Sequence, residues 1–359
     1  MEEVQPAAGA WREYHRPMQK VRWGVLGVAR IATQKVIPAM QRGELAEVVG
    51  IASRDRAKAE RAARALGIPN VYGSYAEMLA DPQIEAVYNP LPNHLHVKVS
   101  IQAAEAGKHV LCEKPIGIGV ADTLELIAVR DRTGVIIEEA FMISTHPQWE
   151  RAIDLVRAGR IGQVRYTVAS YGYHNLDPEN IRNIAEYGGG ALMDIGCYAI
   201  KTSRMIFGEE PLRVAGTVLR DQRFGTDMLT SAILEYARGH CIFSCSTQSV
   251  ANQSVQVIGT TGRIEFDIPF NAVPGERMRL RIDDGSDLGR SGVVVEEVEA
   301  CDQYTIQSDL FSRAVRQAGA PAVPLEDSLR NMAVIEAVFR SAQTGRWERP
   351  EAILRAAER

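Results

Sequence analysis

The sequence predicts an α/β protein, with a doubly wound parallel sheet in its first half and a second α/β domain, built on a mostly antiparallel open sheet, after it. Three observations predict this. Short apolar runs alternate with helix-like segments from Val21 to about Met142, a turn of small residues follows the first run, and beyond Met142 the apolar pattern changes to period-two alternation. The length of 359 residues agrees, because it is about twice what one average domain uses.

Residues 1–20 mix Pro, Ala and charges without period and are expected to form a disordered arm. Strands are predicted over 21–28, 47–53, 70–72, 84–89, 109–113 and 135–141, with helices over 55–66, 93–106 and 120–133. Each helix runs into a glycine (Gly67, Gly107, Gly134), where a C-terminus favours a left-handed residue. Strand, helix and strand repeated this way imply parallel pairing, so residues 21–141 are expected to form one domain. Its successor, 142–320, opens with helices over 147–158 and 191–207. There Ile264, Phe266 and Ile268 alternate with Arg263, Glu265 and Asp267, and Met278, Leu280 and Ile282 with Arg279 and Arg281. Such alternation marks a sheet with one buried and one polar face. Helices over 304–318 and 325–343 close the pattern, the last with an apolar stripe of Leu329, Met332, Ile335, Ala337 and Phe339 that calls for deep burial.

With 46% hydrophobic and 24% charged residues, the chain can bury an ordinary globular core. A net charge of −4 with both signs dispersed gives no footprint for nucleic acid or an anionic membrane, and neither is expected as a partner. No apolar run is long enough to span a bilayer, and Cys112, Cys197, Cys241, Cys245 and Cys301 are odd in number and scattered. Reduced thiols and a cytoplasmic location are the expectation.

The first strand runs into Gly27-Val28-Ala29-Arg30-Ile31-Ala32, a G-x-A-x-x-A variant of the dinucleotide fingerprint. Small residues are needed because a pyrophosphate must approach the backbone of this turn and rest on the dipole of the next helix. The second strand ends at Ser53-Arg54, where an NAD site carries an acid and an NADP site a small polar residue with a cation, so NADP is the cofactor predicted. Lys58, one helical turn on, adds charge. Ligands of doubly wound sheets bind beyond the carboxyl ends of the strands. There the chain places Pro90, Leu91, Asn93 and His96 after the fourth strand and Glu113-Lys114-Pro115 after the fifth. Further on, Gly188-Gly189-Gly190 leads into a helix carrying Asp194 and Tyr198, four residues apart and hence on one face.

In these segments, together with Ala104 to Cys112 before Glu113 and with Leu325 to Met332, the sequence closely resembles the Gfo/Idh/MocA oxidoreductases from about Val21 to Trp347. It looks most like the branch of glucose-fructose oxidoreductase, dimeric dihydrodiol dehydrogenase and D-xylose dehydrogenase, because Asp194 and Tyr198 fall in Asp-x-Gly-x-Tyr where the inositol branch has a His in place of Tyr198. The resemblance implies a Rossmann domain, then a domain with a large open sheet used for a homodimer or higher homo-oligomer, and a 325–345 helix returning to the first domain. It also implies that Lys114 lies beside nicotinamide and substrate, with Lys114-Pro115 often cis.

Interconverting an alcohol and a ketone by hydride transfer needs a group to carry the hydroxyl proton and a cation to stabilise developing alkoxide. Tyr198 is expected as proton donor or acceptor, its pKa lowered by an adjacent ammonium. Lys114 is expected as electrostatic partner and substrate anchor, and Asp194 as orienter of Lys114 or of a substrate hydroxyl; which of Lys114 and Tyr198 carries the proton is open. Glu113 helps position Lys114 or the nicotinamide pocket. Phe141, Tyr171, Tyr173, His174, Arg182 and Tyr187 are candidate wall residues. The substrate expected is a sugar or keto-sugar, with a trans-dihydrodiol or a nucleotide-linked ketosugar as alternatives and a non-catalytic NADPH sensor as a further one. No metal site is expected: His94-x-His96 has no cysteine at zinc spacing, and Cys241 and Cys245 read as strand fillers.

Overall fold

A computed structural model describes residues 18–357; residues 1–17 of the expected arm lie outside the described residues. The first sheet consists of β1 (Val21–Leu26), β2 (Ala46–Ala52), β3 (Asn70–Tyr72), β4 (Ala86–Asn89), β5 (His109–Glu113) and β6 (Ile137–Ala140). All its pairings are parallel and the strand order is 3-2-1-4-5-6. That order reverses direction between β1 and β4, which opens a crevice at their carboxyl ends. Helices α1 (Ile37–Arg42), α2 (Arg56–Leu66), α3 (Tyr75–Ala80), α4 (Asn93–Glu105) and α5 (Val120–Thr133) connect the strands. Asp55 caps α2 by accepting from the Lys58 amide at 3.0 Å, and Gly67 and Gly134 end α2 and α5 at φ 68° and 70°. Helices α1 and α3 had no place among the predicted elements, being only one to two turns long and without a full apolar stripe.

The second sheet has eight strands: β7 (Val164–His174), β8 (Arg213–Arg220), β9 (Asp227–Tyr236), β10 (Gly239–Ser246), β11 (Gln248–Gly259), β12 (Arg263–Phe266), β13 (Met278–Asp283) and β14 (Val293–Val298). Their order is 14-13-12-11-7-10-9-8, antiparallel except for β7 against β10. Alternation puts Thr167, Ala169, Cys241, Phe243 and Cys245 on the inner face, against α6 (Pro147–Arg157) and α7 (Cys197–Phe207). The outer face carries a row of Val168, Ile242 and Ile233 beside a row of Ser254, Ser170, Ser244 and Ser231, and no element of the described chain covers Ile242 or Ile233.

The chain crosses between the domains again after β14. Helix α8 (Gln303–Gln317), expected in the second domain, lies instead on the first sheet. Its buried Phe311 packs against Trp23 at 5.1 Å, Ser312 accepts from the Trp23 indole at 3.1 Å, and Asp309 accepts from the amides of Glu44 and Leu45, each at 2.9 Å. A fully buried indole N–H requires a partner, and α8 supplies it. Helix α9 (Leu325–Thr344) touches both domains: Glu326 pairs with Arg130 of α5, and Ser341 accepts from the Gly216 amide of β8 at 3.1 Å. Helix α10 (Pro350–Ala357) ends the described chain. Among the described residues no helix is long and apolar enough to cross a membrane.

Asp327 of α9 joins this junction to α7 through Lys201 and, at 2.8 Å, Arg204, whose side chains are almost completely buried. Removing the carboxylate leaves the buried Lys201 without its carboxylate, while Arg204 keeps Glu210 at 2.6 Å, and breaking one such buried pair costs about 3–5 kcal/mol in comparable cases. Asp327→Ala is therefore expected to lower the urea midpoint sharply without changing the slope, and Asp327→Asn to do so less. An unchanged midpoint would show that the junction does not depend on this pair.

Candidate active site

The crevice of the first sheet and the inner face of the second enclose a cavity of about 560 Å³. Its floor is the G-x-A-x-x-A turn. Gly27 has φ +86°, donates to the Ala52 carbonyl at 2.7 Å, and leaves no room for a side chain because a Cβ would meet Leu91 at 3.0 Å. Ala29, Arg30 and Ile31 line the cavity, as do Pro90, Leu91, Asn93, His96, Glu113 and Lys114. Val28, Ser53, Arg54 and Lys58 stand outside it, along the carboxyl ends of β1 and β2. The Ser53 hydroxyl accepts from the Asp55 amide at 3.2 Å, and Arg54, beside the Tyr75 phenol, has no carboxylate partner among the described residues.

The Lys114-Pro115 peptide is cis. Two buried groups hold this loop: Glu139 accepts from the Ile116 amide at 2.7 Å, and the His96 ring spans the carbonyls of Pro115 (2.7 Å) and Leu91 (2.6 Å). Burial pushes the His96 pKa down to about 4 and the Glu139 pKa up to about 7. His96 thus ties the loops after β4 and β5 together, in addition to lining the crevice. Glu113 accepts from the Tyr88 phenol at 2.6 Å, and burial raises its pKa against the pull of Lys114.

From the opposite wall, Asp194 sits in a widened helical turn, Leu192–Gly196, that leads into α7. Buried Asp227 fixes the start of that turn by accepting from the Leu192 amide at 2.7 Å. The Asp194 carboxylate receives Lys114 Nζ at 3.2 Å, Arg182 Nε at 3.4 Å and the Tyr173 phenol at 2.6 Å, while its backbone carbonyl receives Lys114 Nζ at 2.6 Å. Burial pushes its pKa up, but the two cations and the phenol outweigh burial and hold it well below the usual carboxylate range. The converse holds for Lys114. Burial pulls its pKa down, the Asp194 charge more than offsets that, and the group ends above the ordinary lysine value.

Tyr198 departs from expectation. Lys114 Nζ lies over the face of its ring, 4.8 Å from the centroid, rather than at its oxygen, and the phenol points to Met142 Sδ at 3.4 Å. Burial then dominates and pushes the pKa well above 10, opposite to the lowering the sequence led us to expect. Phe141 is also placed differently: it is fully buried and does not line the cavity, but meets the Tyr198 ring edge-on at 5.3 Å and braces it from behind. Tyr171, Tyr173 and Arg182 line the cavity, His174 is exposed at the end of β7, and Tyr187 stacks on His94 at 4.2 Å, closing the two domains together beside Asn93. Sequence reasoning missed Met142, Asn175, Asn180, Asn271 and Tyr304 among the wall residues. Single amides in loops carry no spacing signal, and Tyr304 read as the apolar start of a helix. Among the described residues no group of three His, Cys, Asp or Glu side chains could hold a metal.

If Asp194 keeps Lys114 charged, Asp194→Asn lowers the Lys114 pKa by one unit or more, the scale set by an opposite charge at this range. A titration of isotope-labelled lysine by NMR reads this directly, and an unchanged value would remove the coupling.

Comparison with known proteins agrees with this geometry. Residues 21–141 match the oxidoreductase family with an NAD-binding Rossmann fold, and residues 149–265 match the Gfo/Idh/MocA C-terminal domain. The chain is 48% identical to an uncharacterized oxidoreductase of Rhizobium meliloti, over 92% of this chain and 99% of that one. It is 38% identical to a D-xylose 1-dehydrogenase (NADP(+)) of Haloferax volcanii, over 90% and 98%. A crystal structure of a 3-ketoreductase from Actinomadura kijaniata in complex with NADP and TDP-benzene superposes with a TM-score of 0.84 at 29% identity, over 90% of this chain and 98% of that one. A dinucleotide crevice facing a lysine-aspartate-tyrosine wall and these two matching domains lead to one conclusion: the chain belongs to the Gfo/Idh/MocA family of oxidoreductases.

Proposed function

We propose that this protein is an NADP-dependent oxidoreductase that moves a hydride between the nicotinamide and a carbinol or ketone carbon of a sugar, with Lys114 and Tyr198 handling the proton. The observation that carries this reading is the Lys114 ammonium, clamped by Asp194 and laid against Tyr198 where the dinucleotide crevice meets the second sheet. Gly27 leaves the backbone of its turn open to a pyrophosphate, and Ser53 with the unpaired Arg54 suits a 2′-phosphate. The cofactor named for the Haloferax relative and the NADP in the ketoreductase structure support the same choice. When bound, the nicotinamide supplies or takes the hydride. Lys114 stabilises negative charge on the reacting oxygen, and Tyr198 holds the proton that this oxygen gains or loses. The amides of Asn175, Asn180 and Asn271 fit the remaining hydroxyls of a sugar.

A nucleotide-linked keto-sugar is the second reading, favoured by Arg30 and Lys35, exposed cations at the cavity wall with no carboxylate partner among the described residues. NADP and NADPH absorbance followed against aldoses, keto-sugars, nucleotide-linked keto-sugars and a trans-dihydrodiol separates them, and silence across the panel with NADPH bound favours a sensor. Lys114→Ala is expected to lose at least a hundredfold in kcat while still binding NADPH; normal turnover would remove the mechanism.

Both proton carriers are protonated near neutrality, since both pKa values are raised. Oxidation needs one of them deprotonated, so its rate should climb as pH rises above 7, whereas reduction, which uses the protonated form, should stay level through neutrality and fall in the alkaline range. A flat oxidative profile from pH 6 to 10 would contradict the assignment.

The uncovered outer face of the second sheet, with Ile233, Ile242 and Tyr166, supports a homodimer, which light scattering tests; a monomer that persists at high concentration would overturn it. The five free cysteines, four of them buried, favour a cytoplasmic location.

A further inference from the structure

Four phenols face the cavity, and three have partners within the protein. Tyr173 donates to Asp194, Tyr198 points to Met142 Sδ, and Tyr171 takes the amide of Asn271. The fourth, Tyr304, is only 6% exposed, yet its phenol has no hydrogen-bond partner among the described residues. Open to the cavity, such a hydroxyl bonds water when the site is empty and is free to bond a substrate oxygen when the site is filled.

Its scaffold is stiff. Tyr304 occupies the first turn of α8, where its amide donates to Asp302 at 2.9 Å, and the other oxygen of Asp302 takes Arg42 Nη2 of α1 at 2.6 Å. The preceding Gln303 donates to the Phe270 carbonyl at 3.4 Å, and Phe270 packs on both Tyr171 (4.9 Å) and Tyr198 (5.4 Å). Tyr304 therefore stands on the nucleotide-binding body and reaches the same aromatic wall as Tyr198, within electrostatic range of Glu113 and Tyr198. An ordered donor with no internal partner, in the same cavity as the group proposed to hold the proton, is set to meet another oxygen of the molecule whose first oxygen reacts.

We infer that Tyr304 is a substrate-positioning residue that hydrogen-bonds a sugar hydroxyl other than the reacting one, so that the site selects sugars carrying that hydroxyl over the corresponding deoxy analogue. This rests on the sugar reading above. A site built to bond a hydroxyl discriminates strongly against the analogue that lacks it, whereas an apolar wall does not.

The test compares kcat/KM for whichever of D-xylose and D-glucose reacts faster with those for its 2-, 3- and 4-deoxy analogues, in the wild type and in Tyr304→Phe, which keeps the ring. The wild type is expected to prefer the parent sugar over one of these analogues by roughly tenfold or more, and the variant to bring that ratio close to one, mainly through the KM of the parent sugar. NADPH affinity, read by fluorescence, and the pH profile should not move, which separates positioning of substrate from cofactor binding and from proton transfer. If Tyr304→Phe fails to accumulate, Tyr304→Met gives the same comparison. Ratios all unchanged by the substitution overturn the inference alone, as does weakened NADPH binding with unchanged ratios. A wild type that binds NADPH but turns over neither parent sugar overturns the free-sugar reading and this inference with it.

Discussion

The Asp194 carboxylate is the constraint on which the site depends. It joins two halves of the molecule that the chain builds eighty residues apart, with Lys114 on the loop after β5 and Tyr173, Arg182 and Asp194 itself on the second domain. A carboxylate that is 14% exposed and has three donors of two kinds cannot rotate freely, and neither can the ammonium it holds. Charge balance matters as much as geometry. Lys114 alone would be a buried cation inclined to lose its proton, and Arg182 nearby would make that worse. Asp194 reverses the sign of the effect and leaves a charged ammonium beside a neutral phenol.

The remainder of the fold can be understood as support for that clamp. On the first-domain side, the buried His96 ring and the buried Glu139 carboxyl fasten the loop around the cis Lys114-Pro115 peptide. On the other side, Asp227 pins the turn carrying Asp194, and Lys201, one helical turn beyond Tyr198, is anchored by Asp327 of α9. Because α8 and α9 both return to the first sheet, the chain crosses the domain boundary more than once. A single-hinge connection would let the two walls drift, and a drift of about 1 Å is enough to cost a catalytic constellation much of its rate.

Legibility of the sequence followed physical range. Elements fixed by local periodicity and capping, such as α2 between Asp55 and Gly67 or β12 with Ile264 and Phe266 turned inward, were readable because the signal lies within a dozen residues. That Lys114, Asp194 and Tyr198 come together in the crevice was foreseeable, because motif and resemblance point to them together. What escaped was set by tertiary packing. Nothing in the sequence of α8 says that Phe311 meets Trp23, nor that Phe141 lies behind Tyr198 rather than in the cavity. The Tyr198 pKa was misjudged for the same reason: adjacency of an ammonium was foreseeable, but its position over the ring face and the depth of burial were not.

Substrate choice depends on how the wall is divided between the domains. Lys114, Asp194 and Tyr198, proposed as the reacting end of the cavity, are held from both sides. The proposed selective end has amides on second-domain loops, Asn175, Asn180 and Asn271, with Tyr304 set on the first-domain body. Loops tolerate exchange far more readily than a packed helix start does. On that proposal, a fold arranged this way changes which sugar it accepts by altering the amides while the geometry of Lys114, Asp194 and Tyr198 stays fixed. The opposite arrangement, with the clamp on loops and the amides on packed elements, would make each change of specificity a change in the chemistry as well.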